Sequence, residues 1–225
     1  MAKKAKKVEA KIKKKKWFSI VAPKFLSEQV LGESLADQAK ELIGKTVTAN
    51  LMNLTGDPKK QSVNLRFQVT AVGENKVMTE CIGYDISPSS IKRIVRRNRE
   101  RLDDSFVVMT SDQKLVRIKP LVLTRFNTNR SVTTTLRKRI RVEVQQAVNS
   151  NTFEGLVRDL SQNKFQTKLK DSLKKIYPVA ICEVRNLLIV TKPGVKPLSI
   201  KTEEVAEEEP EEIEMEEEAK EEQNA

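Results

Sequence analysis

No histidine occurs among the 225 residues, and that absence removes much catalytic chemistry at once. Imidazole is the commonest general base, the usual activator of serine and cysteine nucleophiles, and a frequent zinc ligand. Cysteine is nearly absent as well. Cys81 and Cys182 stand about a hundred residues apart, which fits neither a disulfide framework nor a zinc spacing. Both fall in apolar, strand-like runs, so buried free thiols in a reducing compartment are expected. The seven glycines are too scattered to wrap a phosphate in backbone N–H groups. Gly44-Lys45-Thr46 copies the end of a phosphate-binding loop, but Ala39 stands where that loop needs its first glycine, and a turn entering a strand accounts for it. Aromatic residues are only 4 %, which excludes base stacking as the main mode of any nucleic-acid contact. No apolar run approaches the ~18 residues of a membrane-spanning helix. Pro23 and Lys24 interrupt "WFSIVAPKFL" before it can serve as a secretory core. Neither a membrane partner nor a cofactor is expected.

Positive charge is what the chain has in excess. Lysine and arginine total 42 against 31 acids, a formal +11. The two ends are extreme and opposite: residues 1–16 hold nine lysines and one glutamate, residues 203–225 thirteen glutamates and one lysine. Without that acidic end the remainder carries +23. A surplus of this size predicts a polyanionic partner, and with the membrane set aside the polyanion is nucleic acid. The expected organisation is a basic arm over 1–16, disordered when free, one α+β RNA-binding domain over 17–195, and a disordered acidic tail over 196–225. The tail either screens the basic body before it meets RNA or is a solvated end.

Hydrophobic periodicity places the elements. "WFSIVAPKFL" reads as an extended stretch that docks on the body, because Pro23 forbids a helix across it. "SLADQAKELIG" reads as a short helix or turn closing at Gly44. "KTVTANLMNL" alternates Val47, Ala49 and Leu51 against polar neighbours. "SVNLRFQVTAV" sets Val63, Leu65, Phe67, Val69 and Ala71 on one face, and after a turn at 73–76 "VMTECIGYDI" returns. Period-2 alternation with short turns argues an antiparallel, half-buried sheet. Ser87-Pro88 opens a helix over "SIKRIVRRNRER", whose Ile91, Ile94, Val95 and Leu102 fall within about 100° of a helical wheel. "SFVVMT" and "LVRIKPLVLTRF" follow as strands. A helix over roughly 134–148 buries Leu136, Ile140, Val144, Ala147 and Val148. Asn151-Thr152-Phe153-Glu154 has the form of a capping box for a helix with Leu156, Val157 and Leu160 inside. A third helix carries Phe165, Leu169, Leu173 and Ile176, Pro178 ends it, and "VAICEVRNLLIV" is the last strand.

Three basic clusters stand out against this frame. The arm contributes Lys11, Lys13, Lys14, Lys15 and Lys16. The helix after Ser87 contributes Lys92, Arg93, Arg96, Arg97, Arg99 and Arg101, opposed only by Glu100. The region before and within the long helix contributes Arg125, Arg130, Arg137, Lys138, Arg139 and Arg141. Like charges three and four apart repel on an isolated helix. A helix of this kind is suited to a bound state in which phosphates turn the repulsion into attraction. Arginine grips phosphate bidentately and stacks on bases, whereas the all-lysine arm neutralises charge without direction. Trp17 beside the arm either stacks on a base or anchors the arm to its own domain. Asp103-Asp104, with Glu80 and Asp85 on a neighbouring strand, is the only candidate set for Mg²⁺; adjacent acids equally close a basic helix or enter a turn. Helix-turn-helix, zinc-finger and basic-zipper patterns are missing, as are the aromatic signature of an RRM and the GXXG loop of a KH domain. Recognition of a folded RNA by shape and phosphates is therefore expected. The competing readings are an RNA-binding or chaperone-like module acting away from ribosomes and a metal-dependent nuclease.

"KKWFSIVAPKFL", "CIGYDIS", "LVLTRFNTNRSVTTTLRKRIR" and "IYPVAICEVRNLLIVTKPG", in that order over about residues 15–195, resemble the archaeal and eukaryotic small-subunit ribosomal protein 3Ae family, also called the eukaryotic-type small-subunit protein 1 family. The composition looks archaeal, with the acidic tail standing where eukaryotic members have a different, longer extension. The resemblance implies a structural constituent of the 30S subunit in the cytoplasm, bound to 16S rRNA on the platform near the messenger exit and the rRNA 3′ end. It implies platform ribosomal proteins as neighbours, with mRNA near the exit channel as a further contact. It also implies an α+β fold around an antiparallel, barrel-like sheet with flanking helices, and it carries no catalytic residue.

Overall fold

The computed structural model describes residues 15–73 and 76–190. Residues 1–14 of the arm, Lys11, Lys13 and Lys14 among them, the centre of the turn at 74–75 and the acidic tail lie outside the described residues. The chain forms β1 (Lys16–Val21), β2 (Val30–Ala36), β3 (Thr46–Asn50), α1 (Leu51–Thr55), β4 (Val63–Val72), β5 (Lys76–Ile86), α2 (Pro88–Ile94), β6 (Arg101–Asp103), β7 (Phe106–Met109), β8 (Leu115–Thr124), α3 (Arg130–Ser150), α4 (Phe153–Ser161), α5 (Lys164–Lys174) and β9 (Val179–Ile189). The class is mixed α+β, as expected.

The nine strands make one sheet built around β5 and β8. β4 runs antiparallel along one edge of β5, while the other edge is shared: β1 pairs in parallel at 76–78 and β9 antiparallel at 83–85. β9 likewise follows β8 along one edge, and β7 and β6 divide the other. The longest path is β2-β1-β5-β9-β8-β6, with β3 added outside β4. Among the described residues this pairing does not close on itself, so in place of the barrel-like sheet that the resemblance implies there is an open, branched sheet. Alternation fixes which face of a strand is buried, but closure depends on how edges are shared, and that is not a period-2 property.

Two residues show how the branches are accommodated. Pro120, which has no N–H to donate, sits at a register shift of β8 and in the gap between β7 and β6 on its other edge. Gly83 lies where β5 meets β9: a Cβ there would stand 2.3 Å from Leu188 Cδ2 and 3.0 Å from the Leu187 carbonyl oxygen. Glycine therefore lets the two halves of the sheet approach.

The principal core lies between the sheet and α3–α5. Leu65, Phe67, Tyr84, Val116, Ile118 and Val122 face Leu136, Ile140, Val144, Val148, Phe153, Leu156, Val157 and Leu173, all almost wholly buried. Each large side chain removed from water this way contributes roughly 1.5–3 kcal/mol. A smaller core of Phe18, Ile20, Ala36, Leu42, Val69 and Val77 closes the β1–β2 end.

Several boundaries differ from the sequence reading. β2 ends on the first three residues of "SLADQAKELIG", and only Ala39–Leu42 forms a 3-10 turn. Leu51 opens α1 instead of extending β3, because the Asn50 side chain accepts from the Met52 N–H at 2.9 Å and caps a helical turn. Ala71 is exposed beyond an irregularity in β4, and Ile176 lies past the end of α5, also exposed. The cap of α4 is Thr152, whose hydroxyl accepts from Gly155 N–H, one residue later than the Asn151-to-Glu154 frame. Gly44 adopts φ +84° and donates its N–H to Val69, so the phosphate-loop lookalike is a turn into β3.

Candidate nucleic-acid interface

The helix expected over "SIKRIVRRNRER" is the largest correction. α2 starts as predicted, with Ser87 as cap and Pro88 first, and its backbone carbonyl accepts from Ser90 and Ile91. It ends at Ile94. Val95 is extended, Asn98 turns through φ +59°, and Arg101–Asp103 become β6. A continued helix would stack Lys92 on Arg96 and Arg93 on Arg97, each pair destabilising by roughly 0.2–0.5 kcal/mol. Leaving the helix also pairs Leu102 with Val122 of β8 and buries it. Arg96, Arg97 and Arg99 thus project from a loop, and Asn98 supplies the left-handed residue that the turn needs.

That loop meets the second cluster. Glu100 N–H donates to Thr124 Oγ1 at 2.9 Å, and Thr124 N–H donates to the Glu100 carbonyl at 3.1 Å. Arg125 and Phe126 come directly after Thr124, and the Arg125 guanidinium lies 5.7 Å from the Phe126 ring centroid. Asp104, on the β6–β7 connection, faces Arg137 at 3.8 Å and Arg141 at 3.5 Å on α3. Residues some 25–40 apart in the chain therefore form one basic surface made of the α2–β6 loop, the β8–α3 connection and the outer turns of α3.

Its acids order the arginines more than they cancel them. Asp103 Oδ2 accepts from Arg101 and, at 3.3 Å, from Arg185 of β9. Asp104, 11 % exposed, serves Arg137 and Arg141. Asp103 is hydrogen-bonded by both of its arginines, whereas Asp104 stands within ion-pair range of its two with its buried Oδ2 accepting no hydrogen bond among the described residues; each group of three keeps a net positive charge. Arg139 is fixed by Glu143 at 2.8 Å, whose other contact is the Ser172 hydroxyl on α5. Among the described residues Lys92, Arg93, Arg96, Arg97, Arg99, Arg125, Arg130 and Lys138 have no ion-pair partner. They are exposed except Arg99, which is half-buried. Arg185 was missed in the sequence. It is the extra residue of a bulge, since Lys119 pairs with Asn186 and Pro120 with Val184, and no local pattern in "ICEVRNLL" marks it.

The lysine end lies elsewhere. Lys16 and Trp17 start β1, two strands beyond β9 in the sheet order, whereas the arginine surface is at the β8–β6 end. Lys15 and Lys16 are exposed, and Trp17 is 65 % exposed, so it does not anchor the arm in a core. The Asp103-Asp104 pair is occupied by arginines, and Asp85 by Arg66 at 3.2 Å. No cluster of three or more metal-ligating acids or thiols exists among the described residues. Cys81 and Cys182 are free and buried; burial pushes both thiols up to about 12, against the thiolate. Burial also raises the Glu183 carboxyl, with Gln166 and Lys170 pulling it back. No helix among the described residues is long and apolar enough to cross a membrane.

The chain matches the model of the Ribosomal S3Ae family over residues 3–193. A small ribosomal subunit protein eS1 of Halorubrum lacusprofundi is 31 % identical over 180 residues, 80 % of this chain and 84 % of the relative. The protein of the same name from Sulfurisphaera tokodaii is 34 % identical over 187 residues, 83 % of this chain and 97 % of the relative. Another, from Saccharolobus islandicus, is 30 % identical over 186 residues, covering 83 % and 89 %. Relatives matched along nearly their whole length, and a family model that spans the open sheet and its helices alike, place the chain in the ribosomal S3Ae family.

Proposed function

We propose that the protein is a structural constituent of the small ribosomal subunit in the cytoplasm and not an enzyme. It binds 16S rRNA through its arginine surface, on the platform near the messenger exit and the rRNA 3′ end. Neighbouring platform proteins flank it, and mRNA passes close by. The observation that carries the RNA contact is the convergence of two arginine clusters through Glu100–Thr124 and Asp104 on a family member of this kind. Acids that each stand by two guanidinium groups preorganise the forks for phosphate oxygens and leave charge over to neutralise them. The body over 17–195 acts as one RNA-binding unit, with the basic arm and acidic tail as appendages. Ribosomal RNA gives such a surface many phosphates at fixed spacing, and the scarcity of aromatics matches backbone and shape recognition.

A sucrose gradient of cell extract at moderate salt tests the assignment. The protein is expected with small subunits, and cross-links to their RNA should fall near its 3′ end. Recovery only at the top of the gradient would mean a free RNA-binding module. Association with small subunits but cross-links far from the platform would move the site.

A further inference from the structure

A groove lies where β9 runs on beyond its strand partner. β5 pairs with β9 only over 83–85, opposite 186–188, so residues 180–183 of β9 lie past the end of that pairing. Two hollows, of about 400 and 150 Å³, adjoin there and share Ile94, Asn163 and Glu183 in their walls. The larger runs between α5 and β9, and the smaller reaches beneath the end of α2 to Leu51, Val63 and Ile86. Glu183 is the single acid in either lining, against Lys59, Lys60 and Lys170. The groove is therefore cationic around one half-buried carboxylate. Burial raises the Glu183 carboxyl, with Gln166 and Lys170 the groups that favour its charged form. Gln166, only 4 % exposed, donates its Nε2 hydrogen to the Leu160 carbonyl at 3.1 Å, while its Oε1 accepts no hydrogen bond among the described residues. The buried polar groups left over at this wall are acceptors in want of donors.

An occupant must be anionic where it meets the lysines and a hydrogen-bond donor where it meets Glu183. A guanidinium or ammonium group answers the carboxylate but is repelled by three lysines. A bare phosphate answers the lysines but is repelled by the carboxylate. A nucleotide satisfies both, and guanine sets N1–H beside an amino group, matching the two oxygens of a carboxylate. We propose that the groove takes an unpaired guanine of an RNA strand, with Glu183 accepting from its N1–H and its amino group. Resting on the RNA-binding reading above, this adds base recognition to a surface that otherwise reads phosphates. α2 ends at Ile94 on the groove wall, and Arg93, Arg96 and Arg97 stand on either side of it in the chain without ion-pair partners among the described residues. A strand held there by its phosphates passes the groove. Adenine sets an acceptor nitrogen beside its amino group, and uracil a single N–H between two carbonyls, so each opposes Glu183 with a lone pair. In a duplex the guanine edge is already paired, so the contact selects an unpaired base.

The full-length protein is titrated with short oligouridine strands that carry one central guanosine, inosine, adenosine or uridine, following the anisotropy of a label on the RNA. The guanosine strand is expected to bind about tenfold more tightly than the adenosine and uridine strands. The inosine strand, which lacks the amino group, should fall between them. Glu183→Gln keeps the side-chain shape but has one acceptor oxygen, and is expected to bind all four strands alike. Arg93→Ala/Arg96→Ala is expected to weaken all four equally and to keep the preference. Equal affinity of the unaltered protein for the four strands, or a guanosine preference that survives Glu183→Gln, overturns the groove and leaves the arginine surface standing. Should Glu183→Gln fail to fold, guanosine and adenosine monophosphates are set to displace the labelled guanosine strand from the unaltered protein. Displacement by the guanosine nucleotide at about tenfold lower concentration supports the site, and equal displacement overturns it. A guanosine monophosphate that binds as tightly as the strand assigns the groove to a free nucleotide and overturns the RNA occupant. Binding of no RNA overturns the underlying reading as well.

Discussion

The two ends of the sheet carry positive charge in different ways. At the β8–β6 end the cations are mainly arginines: those of β6, β9 and α3 are held by Asp103, Asp104 and Glu143, while those of the α2–β6 loop have no ion-pair partner among the described residues. At the β1–β2 end they are lysines leading into a strand, with an exposed indole beside them. An arginine held by a half-buried carboxylate loses little further freedom when it meets a phosphate, so the first end is suited to a fixed RNA geometry. A lysine in solvent neutralises whatever phosphate comes near, without direction.

The sharpest way to break this comparison is to remove the cations of α2 and the loop that follows it. Arg93→Ala/Arg96→Ala/Arg97→Ala is expected to weaken binding to small-subunit rRNA and to flatten its salt dependence by roughly 2–3 units of log–log slope, as three lost phosphate contacts require. An unchanged slope in a salt titration would place this loop against solvent or protein. The next largest effect is expected at the joint between the ends. Gly83→Val forces a side chain into Leu188 and the Leu187 carbonyl, and should lower unfolding stability by about 1–3 kcal/mol in a denaturant melt. If the β1–β2 and β8–β6 halves are one cooperative unit, the variant melts in a single transition; two transitions would show that the halves are separable. The smallest effect sharpens the role of the acids. Asp104→Asn removes a negative charge from a basic surface, so simple charge counting predicts tighter RNA binding. Because Asp104 positions Arg137 and Arg141, binding is expected instead to weaken severalfold, with about 1 kcal/mol lost in stability. Tighter binding at low salt would show that the carboxylate only cancels charge.

Much of the scaffold was legible in the residues. β4 and β5 follow alternation, β7, β8 and β9 follow apolar, β-branched runs, and α3 follows Leu136, Ile140, Val144 and Val148 at successive turns. β2 was hidden because "VLGESLA" alternates poorly and is a strand only through its pairing with β1. β6 was hidden inside a helical pattern, since Leu102 continues the wheel of Ile91 and Ile94. Three residues of strand pairing and one buried leucine outweighed that pattern once like charges had weakened the helix. The basic clusters could be named from the chain, but their contact could not: Glu100 meeting Thr124, and Asp104 meeting α3, are consequences of β6 lying on β8. Arg185 was invisible for the same reason.

Composition and local periodicity determined that this protein carries a large positive surplus, lacks imidazole, and follows a run of strands with amphipathic helices, because charge sums residue by residue and periodicity is recorded in neighbouring positions. Tertiary structure decided that the sheet stays open, that the basic helix stops at Ile94, and that arginine and lysine lie at different ends. Those outcomes depend on which edges pair and which side chains compete for burial, and such competitions are settled between distant segments, where no local pattern records them.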